Sequence, residues 1–325
     1  MPEMTLIEAV NAAMSYEMGV DESVIVLGED VGTNGGVFRA TDNLQQQYGE
    51  LRVVDTPLAE SLIAGMSVGL AAQGLKPVAE IQFMGFIFAA FDQIICHASR
   101  MRNRTRGRLT CPMVLRAPYG GGIHAPEHHS ESTEAIFAHV PGIRVVIPSS
   151  PARAYGLLLA AIRDPDPVVF LEPKRIYRAQ SENVADNGQA LPLDVCFTLR
   201  QGSDITLISW GAMLSETMQA ADTLAEQGID AEVIDLATIK PIDKATILES
   251  VEKTGRCVIV SEAAKSGGVA AEISAIIAEE GLTSLLAPIL RVSGHDTVMP
   301  MFKLEQQYMP SVKQIITAVS KVMEF

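Results

Sequence analysis

The amino-acid sequence predicts an α/β protein with two domains. Its 325 residues exceed the size of a typical single hydrophobic core. Short β-branched runs alternate with segments of helical periodicity, which indicates parallel sheets covered by helices on both faces. This alternation stops at a polar, turn-rich stretch, residues 179–192 (AQSENVADNGQALP), and then restarts. We therefore predict a linker there and two domains, over residues 1–185 and 186–325.

The elements are assigned from apolar periodicity and from the turn residues that bound each run. In the first domain, strands are predicted at residues 24–28, 52–54, 77–82, 113–117, 144–147 and 168–171. Its helices are predicted at residues 5–19, 57–74, 86–106, 134–140 and 151–163. In the second, smaller domain, strands are predicted at residues 205–210, 231–235, 257–262 and 288–292, and helices at residues 214–227, 244–253 and 269–280.

Composition narrows the function classes. A hydrophobic content of 48% with 20% charged residues is typical of a well-buried enzyme. The net charge of −14 argues against a nonspecific nucleic-acid surface. No apolar run reaches the length of about 18 residues that a membrane helix needs, and the N-terminus lacks a signal-peptide pattern, so we predict no membrane segment and a cytoplasmic location. The four cysteines form no CxxC and are typical of core residues in a reducing compartment.

Glu60 is the most unusual residue of the predicted helix at 57–74. The residues that follow it (SLIAGMSVGLAAQG) are apolar or small nearly all round, which is typical of a helix buried on every side. A buried carboxylate is costly unless it is paired or its pKa is raised. A helix start with Thr56 as N-cap would place the acid of a capping box at position 59, which is Ala59. Glu60 is therefore predicted to face a ligand; the alternative is a first-turn acid favoured by the helix dipole.

A glycine and histidine loop, residues 119–131 (YGGGIHAPEHHSE), holds three of the six histidines. His124 and His128 have a spacing that would suit zinc on a helix, but Pro126 and the glycines disfavour a helix, and no HExxH or cysteine pair completes a metal site. The glycines allow the main chain to approach a ligand closely. A histidine here is a candidate acid or base near neutral pH, and a histidine-rich surface turn is the alternative.

A group of phenylalanines and a group of arginines each have two possible roles. Phe83, Phe86 and Phe88 lie together in a chain that is only 5% aromatic, and such rings either stack on a planar ligand or fill the core. Five arginines alternate with other residues over positions 100–108. They are typical of a solvated face with internal ion pairs, or they could bind an anion or an acidic partner.

From about residue 4 to residue 325, segments in the same order resemble the beta subunit of thiamine diphosphate dependent 2-oxo acid dehydrogenases. These segments are TPLAE, EIQFMGF, GGGIH to HHSES, PGIRVVIPSSP, AIRDPDPVVFLEP, DITLISWG, AEVIDLATIKPID, KTGR and SEA. The resemblance implies a pyrimidine-binding, transketolase-like parallel-sheet domain followed by a transketolase C-terminal-like α/β domain.

The resemblance also implies site residues. Glu60 would hydrogen-bond N1′ of the cofactor's aminopyrimidine and promote deprotonation of the thiazolium carbon. Phe86 would stack on the aminopyrimidine ring, and Leu58 would contact the cofactor. His129, directly before Ser130, matches the family's active-site histidine, whereas His128 stands at a position that the family leaves variable.

A potassium site is implied in the same way. In the family such a site is formed by main-chain carbonyls and a carboxylate, and hard oxygen ligands of this kind suit the cation. Family members often have Asn where Asp166 stands, and an ordinary Asp-Pro turn is the alternative. The matching residues here are Met113, Ala161, Ile162, Asp164 and Asp166.

One family motif is missing from this chain. The family binds the diphosphate and its Mg²⁺ through a Gly-Asp-Gly motif on the alpha subunit, and no GDG occurs here. The resemblance therefore implies a cofactor site shared with an alpha partner in an alpha2beta2 heterotetramer, and a dihydrolipoyl acyltransferase core whose lipoyl domain accepts the acyl group. It also places residues 322–325 near the acyltransferase docking surface.

The substrate is less closely specified. EIQFMGF resembles pyruvate dehydrogenases, EPKRIYR resembles branched-chain members, and an acetoin-cleaving relative is a further alternative; we favour pyruvate. A self-sufficient transketolase-like enzyme would carry the diphosphate motif on the same chain. A non-catalytic assembly module is the alternative from another class, and the presence of both Glu60 and His129 argues against it.

Overall fold

The computed structural model describes all residues from Met1 to Phe325. The chain divides into two compact units. Unit 1 comprises Met1–Tyr119 and Ile136–Leu193, and unit 2 comprises Gly120–Ala135 and Asp194–Phe325. The histidine loop is therefore grouped with the C-terminal unit, although it lies within the N-terminal half of the sequence.

Unit 1 is built on a parallel sheet. The strands are numbered in the order of the chain. Six strands of unit 1 pair in the order β6-β7-β5-β4-β2-β3. These strands are β2 (Val24–Gly28), β3 (Val53–Asp55), β4 (Lys76–Glu80), β5 (Val114–Tyr119), β6 (Arg144–Val146) and β7 (Val168–Pro173). Two short strands, β1 (Glu3–Thr5) and β8 (Ser181–Asn183), pair antiparallel apart from this sheet. Since β8 lies within the predicted linker, that linker is partly ordered as a strand.

Helices connect the strands of unit 1, as parallel pairing requires. They are α1 (Leu6–Val20), α2 (Leu44–Tyr48), α3 (Glu60–Ala72), α4 (Met101–Arg104), α5 (Glu134–Ala138) and α6 (Pro151–Arg163). At the start of α1, Glu8 accepts the Thr5 amide at 2.8 Å, and hydrogen bonds from Thr5 lower the pKa of the Glu8 carboxyl. At the start of α6, Ser150 is the N-cap and Pro151 the first helical residue, so both helices begin with the expected capping chemistry.

The predicted continuous helix at residues 86–106 is wrong. The segment consists of a 3₁₀ helix (Met84–Ala90), a π-helical turn (Gln93–His97), a second 3₁₀ turn (Ala98–Arg100) and then α4. Side chains compete for the main-chain carbonyls at this place, since Ser99 Oγ donates to the Ile95 carbonyl at 2.7 Å and Arg104 donates to the Cys96 carbonyl. Such back-bonding bends and interrupts helices.

Unit 2 has its own sheet in the order β14-β13-β10-β11-β9, with β9 antiparallel to β11 and the other pairs parallel. The strands of unit 2 are β9 (Phe197–Arg200), β10 (Ile205–Ser209), β11 (Ala231–Asp235), β12 (Thr238–Lys240), β13 (Cys257–Ala264) and β14 (Leu290–Gly294), of which β12 lies outside this sheet. Its helices are α7 (Met213–Glu226), α8 (Lys244–Thr254), α9 (Val269–Glu280), α10 (Phe302–Tyr308) and α11 (Val312–Met323).

The core of unit 2 lies between this sheet and helices α7 and α11. Ile315, Val319 and Val322 recur on one face of α11 and are buried in one cluster with residues of α7, β13 and β14. This face has the period that predicts an amphipathic helix. No helix of the structure has both the length and the apolar character needed to cross a membrane.

Candidate active site

Glu60 is the first residue of α3, at the carboxyl end of the unit 1 sheet. The helix begins there, and not at Pro57, because the Thr56 amide donates to the Gly28 carbonyl at 2.9 Å and so extends the pairing of β2 with β3. The N-cap is Ala59, which has no side-chain cap. The first-turn amides of α3 thus favour a negative charge at this end of the helix.

Glu60 is half-buried, and the prediction that its helix is buried on every side is wrong. The helix itself is not buried on every side: Ser61, Leu62 and Gly69 are exposed, while Ile63, Ala64 and Ser67 are buried. A ligand can therefore reach the carboxylate from outside the chain. The unusual apolar character of α3 instead leaves an apolar surface on this unit.

A second carboxylate, Glu29, lies close enough to Glu60 to sense its charge. Glu29 follows β2 directly and is half-buried. Partial burial, followed by the charges of Asp30 and Glu60, raises the pKa of the Glu29 carboxyl. Sequence patterns did not single out Glu29, since an acid at the end of a strand is common. The Glu29 carboxyl therefore keeps its proton to a higher pH than an isolated glutamate does.

Phe86 lies in the 3₁₀ helix Met84–Ala90, beside the start of α3. Ser61 Oγ donates to the Ala89 carbonyl and so ties α3 to this segment. Phe86 is half-buried, and its ring centroid is 5.7 Å from that of Phe83 in an edge-to-face arrangement. The structure therefore brings the segments that carry Leu58, Glu60 and Phe86 together within unit 1. The half-buried ring of Phe86 still offers a face for stacking.

Large apolar side chains remain exposed near these residues. Leu58 is 71% exposed, Leu62 45% and Phe88 41%. Contiguous exposed apolar side chains mark surfaces that bind a ligand or another chain.

The histidine loop belongs to unit 2 and turns tightly before Ser130. A 3₁₀ turn, Glu127–His129, is closed by the His129 amide, which donates to the Pro126 carbonyl at 2.9 Å. Within this turn His128 is exposed and His129 is half-buried. The two neighbouring histidines thus differ in burial. The half-buried one, His129, is also the one that matches the family motif.

His124 lies beside an acidic side chain of α10. Its Nδ1 lies 3.0 Å from Oε2 of Glu305, a buried carboxylate on α10. No group of three or more His, Cys, Asp or Glu side chains is arranged to hold a metal ion. The sequence patterns predicted neither α10 nor a role for Glu305.

The proposed potassium ligands lie around the end of α6. The Met113 and Ala161 carbonyls accept the Val168 and Asp164 amides at 2.9 and 3.3 Å, and a carbonyl oxygen has a second lone pair for a cation. Both carboxylates are already paired: Asp164 accepts Arg144 at 3.1 Å, and Asp166 accepts Arg102 at 2.7 Å. Ile162 is buried on the last turn of α6. A potassium ion here stays a prediction, and it would share its carboxylates with these arginines.

Beneath the sheet's carboxyl end lies a buried charge network that the sequence patterns did not predict. Arg116 donates to Glu172 at 2.6 and 3.0 Å and to Glu80 at 2.9 Å, and the Tyr177 hydroxyl donates to Glu172 at 2.7 Å. Burial raises the pKa of the Glu80 carboxyl. Burial alone would lower the pKa of Arg116, but the charges of Glu172 and Glu80 raise it. The network joins β4, β5 and β7 by side-chain bonds.

Comparison with known proteins extends over the whole chain. The family model described as "Transketolase, pyrimidine binding domain" matches residues 2–180, and "Transketolase, C-terminal domain" matches residues 196–315. A pyruvate dehydrogenase E1 component subunit beta of Acholeplasma laidlawii is 50% identical over 319 residues, 98% of each chain. The protein of the same name from Bacillus subtilis (strain 168) is 48% identical over 325 residues, the full length of both.

A solved structure shows the same fold. It is described as a split gene transketolase, inactive beta4 tetramer, and it superposes with a TM-score of 0.81 over 99% of this chain and 98% of its own. Its sequence is 22% identical to this one, so the likeness concerns the fold. The α/β, two-domain architecture expected from the sequence is thereby confirmed.

Proposed function

This chain belongs to the family of pyruvate dehydrogenase E1 component beta subunits, and from that premise we propose that it is the beta subunit of a decarboxylase that acts on pyruvate and passes the acyl group to a lipoyl domain. The observation that carries the proposal is the match over the full length of the chain to relatives of that name. The half-exposed Glu60 at the start of α3, beside the segment of Phe86, supports it.

Unit 1 has the features needed for the pyrimidine half of a thiamine diphosphate site. Glu60, at the first turn of α3, would hydrogen-bond the pyrimidine nitrogen N1′. Phe86 would present its ring to the pyrimidine, and the exposed Leu58 would cover the cofactor from the side of the preceding loop. When bound, thiamine diphosphate supplies the acidic carbon and the electron sink that decarboxylation of a 2-oxo acid requires.

The histidine loop would contribute His129. A half-buried imidazole exchanges a proton with substrate more selectively than a fully exposed one, because water competes less for its nitrogens. We assign His129 to proton transfer during decarboxylation and acyl transfer. His128, one residue earlier and exposed, has no role in the proposal.

The remaining parts of the complex would come from other chains. This chain has no Gly-Asp-Gly motif, so we propose that an alpha subunit supplies the Mg²⁺ and diphosphate site in an alpha2beta2 heterotetramer. The exposed Leu58, Leu62 and Phe88 support such an interface. The lipoyl domain of an acyltransferase core would accept the acyl group. We propose that the reaction takes place in the cytoplasm.

Pyruvate is favoured over a branched-chain substrate by the position of EPKRIYR. That segment suggested branched-chain members, but Glu172, Lys174 and Tyr177 within it are buried, and Glu172 and Tyr177 belong to the Arg116 network. These three side chains pack inside unit 1, so they are not available to select a substrate. A substrate panel on the reconstituted complex should therefore show preference for pyruvate over branched-chain 2-oxo acids and acetoin.

The decisive test of the Glu60 role is Glu60→Gln in the reconstituted complex. The neutral amide cannot hold the proton at N1′, and since Glu60 is half-exposed the change should leave folding nearly intact. Exchange of the cofactor's thiazolium-carbon proton, followed by NMR, should slow by about 10²-fold or more. An exchange rate close to that of the parent complex would overturn the assignment.

A further inference from the structure

We infer that Glu305 is a positioning residue, which holds the histidine loop so that His129 stands in one arrangement. The inference rests on the proposed function for the role of His129. Its physical basis is a carboxylate on α10 whose donors all come from the histidine loop, which lies far away in sequence.

Glu305 accepts hydrogen bonds from two main-chain amides of the loop. The Gly122 amide lies 2.9 Å from Oε1, and the His124 amide lies 3.1 Å from Oε2. The His124 imidazole adds a third contact, with Nδ1 at 3.0 Å from Oε2. Hydrogen bonds to a charged acceptor are about twice as strong as those between neutral groups.

The environment of Glu305 makes these bonds necessary. The Glu305 side chain is only 3% exposed, whereas that of His124 is 60% exposed. A buried carboxylate without donors would be strongly unfavourable, so the amides of the loop offset the cost of removing it from water. The ring of Phe302, on the same helix as Glu305, meets the His124 ring edge-on with centroids 6.1 Å apart. The loop and α10 therefore stabilise each other.

The loop has a main-chain conformation that needs such support. His124 has a φ of +59°, which is uncommon for a residue with a side chain, and Gly122 has a φ of +82°. A Cβ on Gly121 would lie 2.4 Å from the end of the Met299 side chain. A conformation of this kind persists where surrounding contacts determine it. Here the determining contacts are those of Glu305.

The residue that directly follows the loop is held in a similar way. Ser132 Oγ donates to Oε1 of Glu262, a buried acid on β13, at 3.0 Å. His129 lies between these two anchor points, five residues after His124. Loss of one anchor should let the 3₁₀ turn of His129 shift, and a displacement of about 1 Å at a catalytic group can cost about 10² in rate.

The test begins with hydrogen exchange on the full-length chain, so that its first measurement is independent of activity. Glu305→Ala should accelerate exchange at the Gly122 and His124 amides by at least about tenfold, the factor that one lost hydrogen bond to a charged group represents. Glu305→Gln keeps an acceptor oxygen and should restore most of the protection. Glu232→Ala is the matched control, because Glu232 is a buried acid of the same unit whose partner is Lys253.

The second measurement uses the complex reconstituted with the alpha partner. Glu305→Ala should lower kcat by about 10² with little change in the KM for the 2-oxo acid, Glu305→Gln should recover much of the loss, and Glu232→Ala should have neither effect. Unchanged exchange in the loop, or an equal loss of kcat in Glu232→Ala, would overturn the inference. Accelerated exchange together with a fully active His129→Ala would refute the role of His129 while supporting the positioning of the loop by Glu305.

Discussion

The chain on its own should not bind thiamine diphosphate usefully. Of the contacts that unit 1 offers, Glu60 would contribute one hydrogen bond, worth about 1.5–3 kcal/mol for a charged group. Phe86 would contribute one stacking face, worth about 0.5–1.5 kcal/mol. Both side chains are only half-buried, so the lower ends of these ranges apply. Immobilising a free cofactor costs about 4 kcal/mol or more.

The net binding free energy of the chain alone is therefore too small even for a dissociation constant of about 1 mM, which needs about 4 kcal/mol. The missing affinity should come from oxygen ligands to Mg²⁺ and from helix-end amides around the diphosphate on the alpha partner. The measurement is calorimetric titration of the purified chain with cofactor and Mg²⁺, repeated with the partner present. Saturable binding at micromolar concentration by the chain alone, lost in Phe86→Ala and Glu60→Gln, would refute the shared site.

His129→Ala should lower turnover by about 10² to 10⁴, whereas His128→Ala should change it little, since His128 is exposed and outside the proposed site; steady-state assays in which His128→Ala is the more damaging change would contradict the assignment. Arg116→Met should lower the free energy of unfolding by about 3–5 kcal/mol, because it leaves the carboxylates of Glu80 and Glu172 buried without their cation. Urea denaturation measures that loss, and a change below about 1 kcal/mol would show that the network is not a buried ion pair. Deleting residues 323–325, which include the exposed Phe325, should weaken capture by the acyltransferase's binding domain, and unchanged capture would show that this tail only packs on unit 2.

The elements that the sequence predicted best are apolar runs with clear limits. Strands β2 and β11 and helices α6 and α9 have the predicted bounds, because compact apolar runs and the turn or capping residues beside them define these elements locally. Strands β1 and β8 were not predicted. Each has three residues and forms only by pairing with a partner almost the whole unit away in sequence, which no local pattern reports.

The site was predicted in part for the same reason. The apolar run of α3 marked Glu60 as unusual, but the run predicted burial within the chain, whereas Leu62 and Gly69 face outward. Apolar residues can be buried within their own chain or against another chain. Apolar periodicity alone does not distinguish these two kinds of burial. Glu305 was missed because its importance depends on three contacts with a loop in the other half of the sequence.

The pairing of β1 with β8 brings the two ends of unit 1 together. Residues Glu3 and Thr5 lie opposite Asn183 and Ser181, so the unit starts and finishes on the same two-stranded ribbon. A chain segment with adjacent ends can be closed by a short splice and reopened at a surface loop, which is the basis of circular permutation. By the same geometry, an N-terminal purification tag would sit beside the segment that leaves the unit, so a tag is better placed elsewhere.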